Sequence, residues 1–394
     1  MDFQYLKNFM DMMAAERTPG NAIEIKIGNE TVFKYAAGYS DLESKTKLTG
    51  DEYFNIFSCS KITTMTAVLQ LLEKGKILVT DPLYDYIPEY KTMYVKDEDG
   101  NIREAKSPIT IGNLITMTAG FGYNFKTDAA EKTRALTNGK MNTDVFARCM
   151  AEEPLLYDPG EKWRYSLAHD ILAGLITIIE GKPFRQYVKE NIFDPLGMDK
   201  AVYHTDDKIK SQMASQYRFV PTGQEGEMDI VAAQEYGKSN DGTFVNIGKE
   251  CAHVIGEEFD SGGAGITTTI SDYIKLLEAL ANFGVGANGE RVLTANAVDL
   301  MRTNALTEQQ FKYFTWVQLA GYSYGYGVRT LVDRAKAGSI GNVGEIGWGG
   351  AAGATAIVDP SINLSVFYTQ HCHNPREGFY QPRLRNVIYT SLGR

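Results

Sequence analysis

Strand-like runs stand at both ends of this chain and helical ones in its middle, an order that requires a sheet assembled from the two termini around an insertion. After a helical pattern over residues 3–15, the alternation changes at Pro19-Gly20 to that of strands. Residues 22–27 and 31–37 then form a hairpin around the turn at Gly28-Asn29. Residues 61–75, KITTMTAVLQLLEKG, put apolar side chains on one helical face and end in glycine, a helix long enough to be the spine of a core. Helical patterns dominate to about residue 200, over 111–117, 144–151, 167–180 and 184–192. Residues 220–260 are polar and poorly periodic and read as a long ordered loop or lid. A helix over 271–283 leads into strand-like runs at 326–332, 343–348, 354–358 and 363–369, and a helix over 381–392 follows. The expected division is a discontinuous sheet domain, 1–57 with 260–394, and a mainly helical domain at 58–259 whose loop or lid covers about 200–259. The active site is expected between them.

Composition narrows the function. At 394 residues the chain exceeds the roughly 250–300 at which one core stops growing, so two lobes are expected. No apolar run nears the roughly 20 residues of a membrane helix, and the opening 20 residues lack the order of a signal peptide, so a cytoplasmic protein is expected. Forty basic against 49 acidic residues give a net charge of −9 with no segregated basic patch, which argues against a nucleic-acid partner. Cys59, Cys149, Cys251 and Cys372 lie far apart with no CxxC pair, so they are expected reduced and mostly buried.

Several motifs fail on context. GVGANG at 284–289 follows a helix, whereas a dinucleotide fingerprint follows a strand. Asp97 to Asn101 begins like a calcium loop, but Ile102 stands at its sixth position and Pro108 at its twelfth, which leaves a solvated hairpin turn. His371 and His373 have no third ligand at metal-site spacing. No metal or cofactor is therefore expected. GYSYG at 321–325 places Ser323 ahead of Asp333 or Asp359 and of His371 or His373, the chain order of an α/β-hydrolase triad. A nucleophile elbow needs a helix after its serine, however, and Ser323 is followed by another strand-like run.

Ser58 heads a Ser-x-x-Lys motif, Phe57-Ser58-Cys59-Ser60-Lys61, and so does Ser44 with Lys47. Ser44 sits in a charged turn. Ser58 follows an apolar run and opens the 61–75 helix, which puts its side chain and that of Lys61 on one face, about 5–6 Å apart at Cβ. Shielding from water favours a neutral amine, which can take the serine proton. The N–H groups and positive dipole end of the helix suit a developing oxyanion. The bland alternative is an ordinary N-cap serine with a solvated lysine. Residues 159–166 form a turn into a helix and present Tyr165, a phenol able to bond both groups and relay the proton. Trp348-Gly349-Gly350 ends a strand-like run, and such glycines mark close approach of a ligand to backbone.

Taken in order, 54–61, 75–82, 108–120, 159–166, 194–198 and 261–265 make the chain similar to the serine β-lactamase-like family of class C β-lactamases, penicillin-binding proteins and related carboxylesterases. The resemblance implies an α/β (α+β) fold with an antiparallel sheet flanked by helices. It also implies Ser58 as acylated nucleophile, Lys61 as its base, Tyr165 as the second-motif tyrosine, and the backbone N–H groups of Ser58 and Ala351 as oxyanion hole. Trp348, Gly349 and Gly350 match the substrate-binding third motif. Trp348 replaces the usual cation and Leu167 stands where the family often has Asn, departures that weaken recognition of β-lactams and resemble the esterase branch (family VIII carboxylesterase-like). The expected activity is a carboxylesterase on small neutral esters, needing no cofactor. The alternatives are a β-lactamase or D-alanyl-D-alanine carboxypeptidase, an acyltransferase, or a non-catalytic penicillin-recognition module.

Overall fold

Alternation at the N-terminus builds β1 (Gly20–Ile27), whose Ile23 and Ile25 face one side while Ala22 faces the other and Lys26 pairs with Glu278. In the computed structural model, which describes residues 1–97, 99–223 and 241–393, β2 (Glu30–Asp41) and β3 (Thr46–Lys47) continue from it. The C-terminal part supplies β4 (Tyr322–Tyr324), β5 (Arg329–Leu331), β6 (Ile346–Gly349), β7 (Thr355–Asp359) and β8 (Leu364–Thr369). Together they form one eight-stranded sheet in the order β4-β5-β6-β7-β8-β1-β2-β3, every neighbouring pair antiparallel. Its seam is β1 against β8, Ala22 opposite Thr369 and Ile27 opposite Leu364. The two ends of the chain thus meet in mid-sheet.

Helices α1 (Gln4–Glu16) and α5 (Glu377–Ser391) cover one face, burying Leu6, Met10 and Leu384 against Ile23, Ile25 and Val366. The other face carries α4 (Ile270–Ala281), beyond which lie α2 (Ser60–Glu73) and α3 (Ala168–Glu180). One apolar face was expected for α2, but every residue from Ser60 to Leu71 is buried. Enclosed on all sides, α2 turns two of its hydroxyls to carbonyls: Thr66 Oγ1 donates to that of Ile62 at 2.9 Å and Thr64 Oγ1 to that of Gly262 at 2.6 Å. No helix among the described residues is long and apolar enough to cross a membrane.

Three expectations are corrected. Only Arg329–Leu331 of the run at 326–332 is strand: it is β5, paired in a hairpin with β4 across a reversal at 325–328, where Gly327 adopts φ +71°. The stretch read as loop or lid carries a helix, Asp207–Ser211, and strands Gln216–Pro221 and Gly242–Gly248, paired antiparallel, with Cys372–His373 added in parallel. Apolar Val245 stands exposed on the second of these strands while Gln216 is buried on the first, which masked the alternation; 224–240 of that stretch lie outside the described residues. The closing helix begins at Glu377, a turn before Pro382, because the chain reverses at Arg376 in the left-handed region.

Candidate active site

Chain geometry at the head of α2 is set by Phe57, which holds φ +45° although it is not glycine. Such backbone persists only where surroundings enforce it. Phe57 is buried edge-on against His253 and His373, at 5.7 and 4.9 Å between ring centroids, and packs on Ala264 and Ala352. This fixes the 3₁₀ turn Phe57–Cys59, from which Ser58 projects beside Lys61 one turn on.

Ser58 Oγ accepts a 2.6 Å hydrogen bond from the Tyr165 hydroxyl and lies 3.5 Å from Lys61 Nζ. Lys61 is fully buried and donates to the Gly263 carbonyl at 2.8 Å. Its Nζ sits 4.6 Å from the Tyr165 ring centroid and 5.4 Å from that of Tyr123. Beneath it lies Asp170 of α3, whose Oδ1 accepts from Ser261 Oγ at 2.6 Å and from the Gly263 N–H at 3.2 Å. Burial raises the Asp170 carboxyl above the usual range, opposed by the charge of Lys61. The crossing leaves no room for side chains: a Cβ on Gly263 would stand 2.6 Å from Asp170 Oδ2, and one on Gly262 2.3 Å from the His169 carbonyl.

Aromatic rings wall the hydroxyl pair. Tyr165 stacks between Tyr123 at 5.0 Å and Trp348 at 5.8 Å, with Trp316 tilted against it at 5.2 Å. The Tyr123 hydroxyl lies 3.2 Å from His253 Nε2. Burial holds the Tyr123 phenol well above its ordinary value and lowers His253 to about 3, the charge of Lys61 adding to the latter. Trp348 is buried on β6, and the turn after it runs beside the approach to Ser58: a Cβ on Gly350 would lie 2.2 Å from the Ile56 carbonyl. Gly349 faces α5, its Cβ direction 3.1 Å from Glu377 Oε1. Ala351 is exposed at that turn, and Leu167 is fully buried in the core.

Ser58, Lys61, Tyr165, Trp348, Gly349 and Gly350 are thus brought into one cluster from three parts of the chain. The rejected candidates stay apart from it. Ser323 is buried on β4 and donates to Asn304 Oδ1 at 2.5 Å, while His371 is taken up by the carbonyls of Ser215 and Tyr39. Asp333 caps the short helix Arg334–Ala337, and Asp359 accepts from Ser361, Asn342 and Tyr389. Ser44 donates to Asp41 in an exposed turn. Tyr123, Asp170, Trp316 and His253 were not anticipated. Only the glycines at 262–263 gave a signal, as a place where backbones approach closely.

A family profile described as Beta-lactamase matches residues 6–389. Protein Rv1367c of Mycobacterium tuberculosis (strain ATCC 25618 / H37Rv) is 28% identical over 350 residues, covering 85% of this chain and 81% of that protein. Esterase EstB of Burkholderia gladioli is 25% identical over 394 residues, covering 97% and 93%. Among solved structures, EstCE1, described as a hydrolase with promiscuous acyltransferase activity, superposes with a TM-score of 0.76 at 23% identity over 98% of both chains.

Proposed function

Because this chain belongs to the Beta-lactamase family, we propose that it is a serine hydrolase cleaving small neutral esters through an acyl-enzyme on Ser58. One observation carries the reading: a serine hydroxyl at the head of a buried helix, 2.6 Å from a tyrosine hydroxyl and 3.5 Å from a buried lysine amine. Lys61 takes the Ser58 proton as Oγ bonds to the ester carbonyl carbon, and the Ser58 and Ala351 N–H groups receive the oxyanion. Tyr165 gives its own proton to the departing alkoxide as the carbon–oxygen bond breaks and takes one back from protonated Lys61. Water then attacks the acyl-enzyme by the same relay in reverse, releasing the acid and restoring Ser58.

Specificity for neutral esters rests on Trp348, which offers an aromatic face where a cation would attract a substrate carboxylate. The name of Esterase EstB, similar over 97% of this chain, supports the same reading. Acyl transfer to an alcohol other than water is the second reading, favoured by the description of EstCE1. The test is p-nitrophenyl butyrate turnover, with intact mass after a fluorophosphonate. One adduct on the peptide holding Ser58, lost in Ser58→Ala, is expected; an adduct elsewhere overturns the assignment.

A further inference from the structure

Beside the third-motif strand and against Trp348, a cavity of about 20 Å³ is lined by Trp316, Gln318, Arg329, Trp348, Gly349 and Glu377. Glu377, at the head of α5, accepts from Gln318 Nε2 at 2.9 Å and from Gln381 Nε2 at 3.1 Å. These two amides fix its carboxyl against Gly349, whose missing side chain leaves the place open. Gln318 is 2% exposed, yet its Oε1 has no partner among the described residues. Arg329 is 1% exposed; one of its terminal nitrogens pairs with Glu345 at 2.8 Å and the other, Nη1, also has no partner. A buried group left unbonded costs about 1–3 kcal/mol, so a spare acceptor and a spare donor around one small cavity call for a visitor that serves both.

We propose that this cavity is a substrate subsite for a hydroxyl group, and that the enzyme prefers esters carrying a free hydroxyl over their alkyl counterparts. The inference rests on the reading of Ser58 as the acylated serine. Charge selects the class. A carboxylate on the substrate would meet Glu377 and an ammonium would meet Arg329, while Arg385, bonded to the Gln318 carbonyl at 2.6 Å, and Glu345 balance each other behind them. A hydroxyl donates to Gln318 Oε1 and accepts from Arg329 Nη1 at no charge cost. Size agrees, since about 10–15 Å³ of such space holds one water-sized oxygen. The link to the reacting centre is short, because Trp316 and Trp348 both contact the ring of Tyr165.

Two ester pairs that exchange hydroxyl for methyl test this on either side of the scissile bond. They are 2-hydroxyethyl butyrate against propyl butyrate, and ethyl 3-hydroxybutyrate against ethyl 3-methylbutyrate. In wild-type enzyme kcat/KM favours the hydroxyl member of one pair by about tenfold or more, as expected where a site is built to hydrogen-bond. Gln318→Leu brings the ratio to within about twofold of one, and the conservative Glu377→Gln lowers it less. The same pairs titrated into Ser58→Ala by tryptophan fluorescence read the preference as a ratio of Kd values without turnover. Ratios near one for both pairs mean the cavity holds only water and overturn the subsite, as does a preference unmoved by either substitution. A preference in binding with no hydrolysis of any ester overturns the esterase reading alone.

Discussion

Ser58 and Ser323 both stand in nucleophile-like motifs, and they differ in what their hydroxyls can reach. Ser58 has an amine and a phenol within 3.5 Å, whereas Ser323 has only the amide of Asn304. Ser58→Ala should therefore abolish ester hydrolysis while Ser323→Ala keeps most of it; the reverse result in a p-nitrophenyl butyrate assay would remove the mechanism. Lys61→Ala and Tyr165→Phe should each lower kcat about 10²–10⁴-fold with smaller effects on KM, because proton transfer is made only in the transition state. An unaltered kcat in Tyr165→Phe would take that phenol out of the relay. Trp348→Lys should raise kcat/KM for anionic substrates relative to neutral ones, and the gain should shrink with added salt. If wild-type enzyme turns over nitrocefin as well as p-nitrophenyl butyrate, another residue reads the carboxylate. Ser58 and Lys61 were legible in the sequence because their relation is a helical spacing three residues long. Tyr123, Trp316 and Asp170 were not, since each reaches the site through tertiary packing that spacing does not encode.

At the scale of elements, the site depends on how closely the 261–268 segment crosses α2 and α3. The short pair of Phe54–Asn55 with Thr267–Thr268 registers that segment against the approach to Ser58, and the Ile266 N–H donates to Ser60 Oγ at 3.1 Å. Gly262 and Gly263 then bring their carbonyls to Thr64 and Lys61. A methyl on Gly262 would meet the His169 carbonyl at 2.3 Å and the Ala173 methyl at 2.8 Å, neither of which can swing away. Gly262→Ala is expected to cost about 1–3 kcal/mol of stability in urea unfolding, the range for overpacking. It should also lower kcat, because the Gly263 carbonyl that holds Lys61 moves with it. An alanine protein with wild-type stability and kcat would show that the crossing is looser than its distances. The alternation of β1, β2, β7 and β8 was legible because each strand buries one face or both in a periodic way. The β4–β5 hairpin and the strands Gln216–Pro221 and Gly242–Gly248 were not: Gly325 and Gly327 interrupt the first, and the others leave Val245 exposed and Gln216 buried, so polarity does not mark their faces.

The whole molecule carries an acid sensitivity that follows from where its imidazoles lie. His169 and His371 are buried, and His253 and His373 flank Phe57; desolvation lowers His371 and His373 to about 4 and His253 to about 3, and holds His169 well below its ordinary value. Unfolded, each has a pKa near 6.5, so between about pH 4 and 6.5 the unfolded chain binds protons that the native one refuses. Their contribution to stability is fully present above pH 6.5 and is lost as pH falls. Two carboxyls act in the opposite sense: burial raises Glu377 to about 7 and raises Asp170, so the native state keeps protons there that the unfolded state sheds. Four imidazoles against two carboxyls leave a net uptake of protons on unfolding, and each net proton is worth about 1.4 kcal/mol per pH unit. Urea titrations from pH 6.5 to 4.5 should therefore show unfolding free energy falling with acid. His371→Gln, which cannot take up the proton, should flatten that slope by up to one proton's worth even if it lowers stability at neutral pH. A slope near zero in the wild-type protein would mean that the imidazoles titrate in the folded state, and the packing around Phe57 would then be open to water.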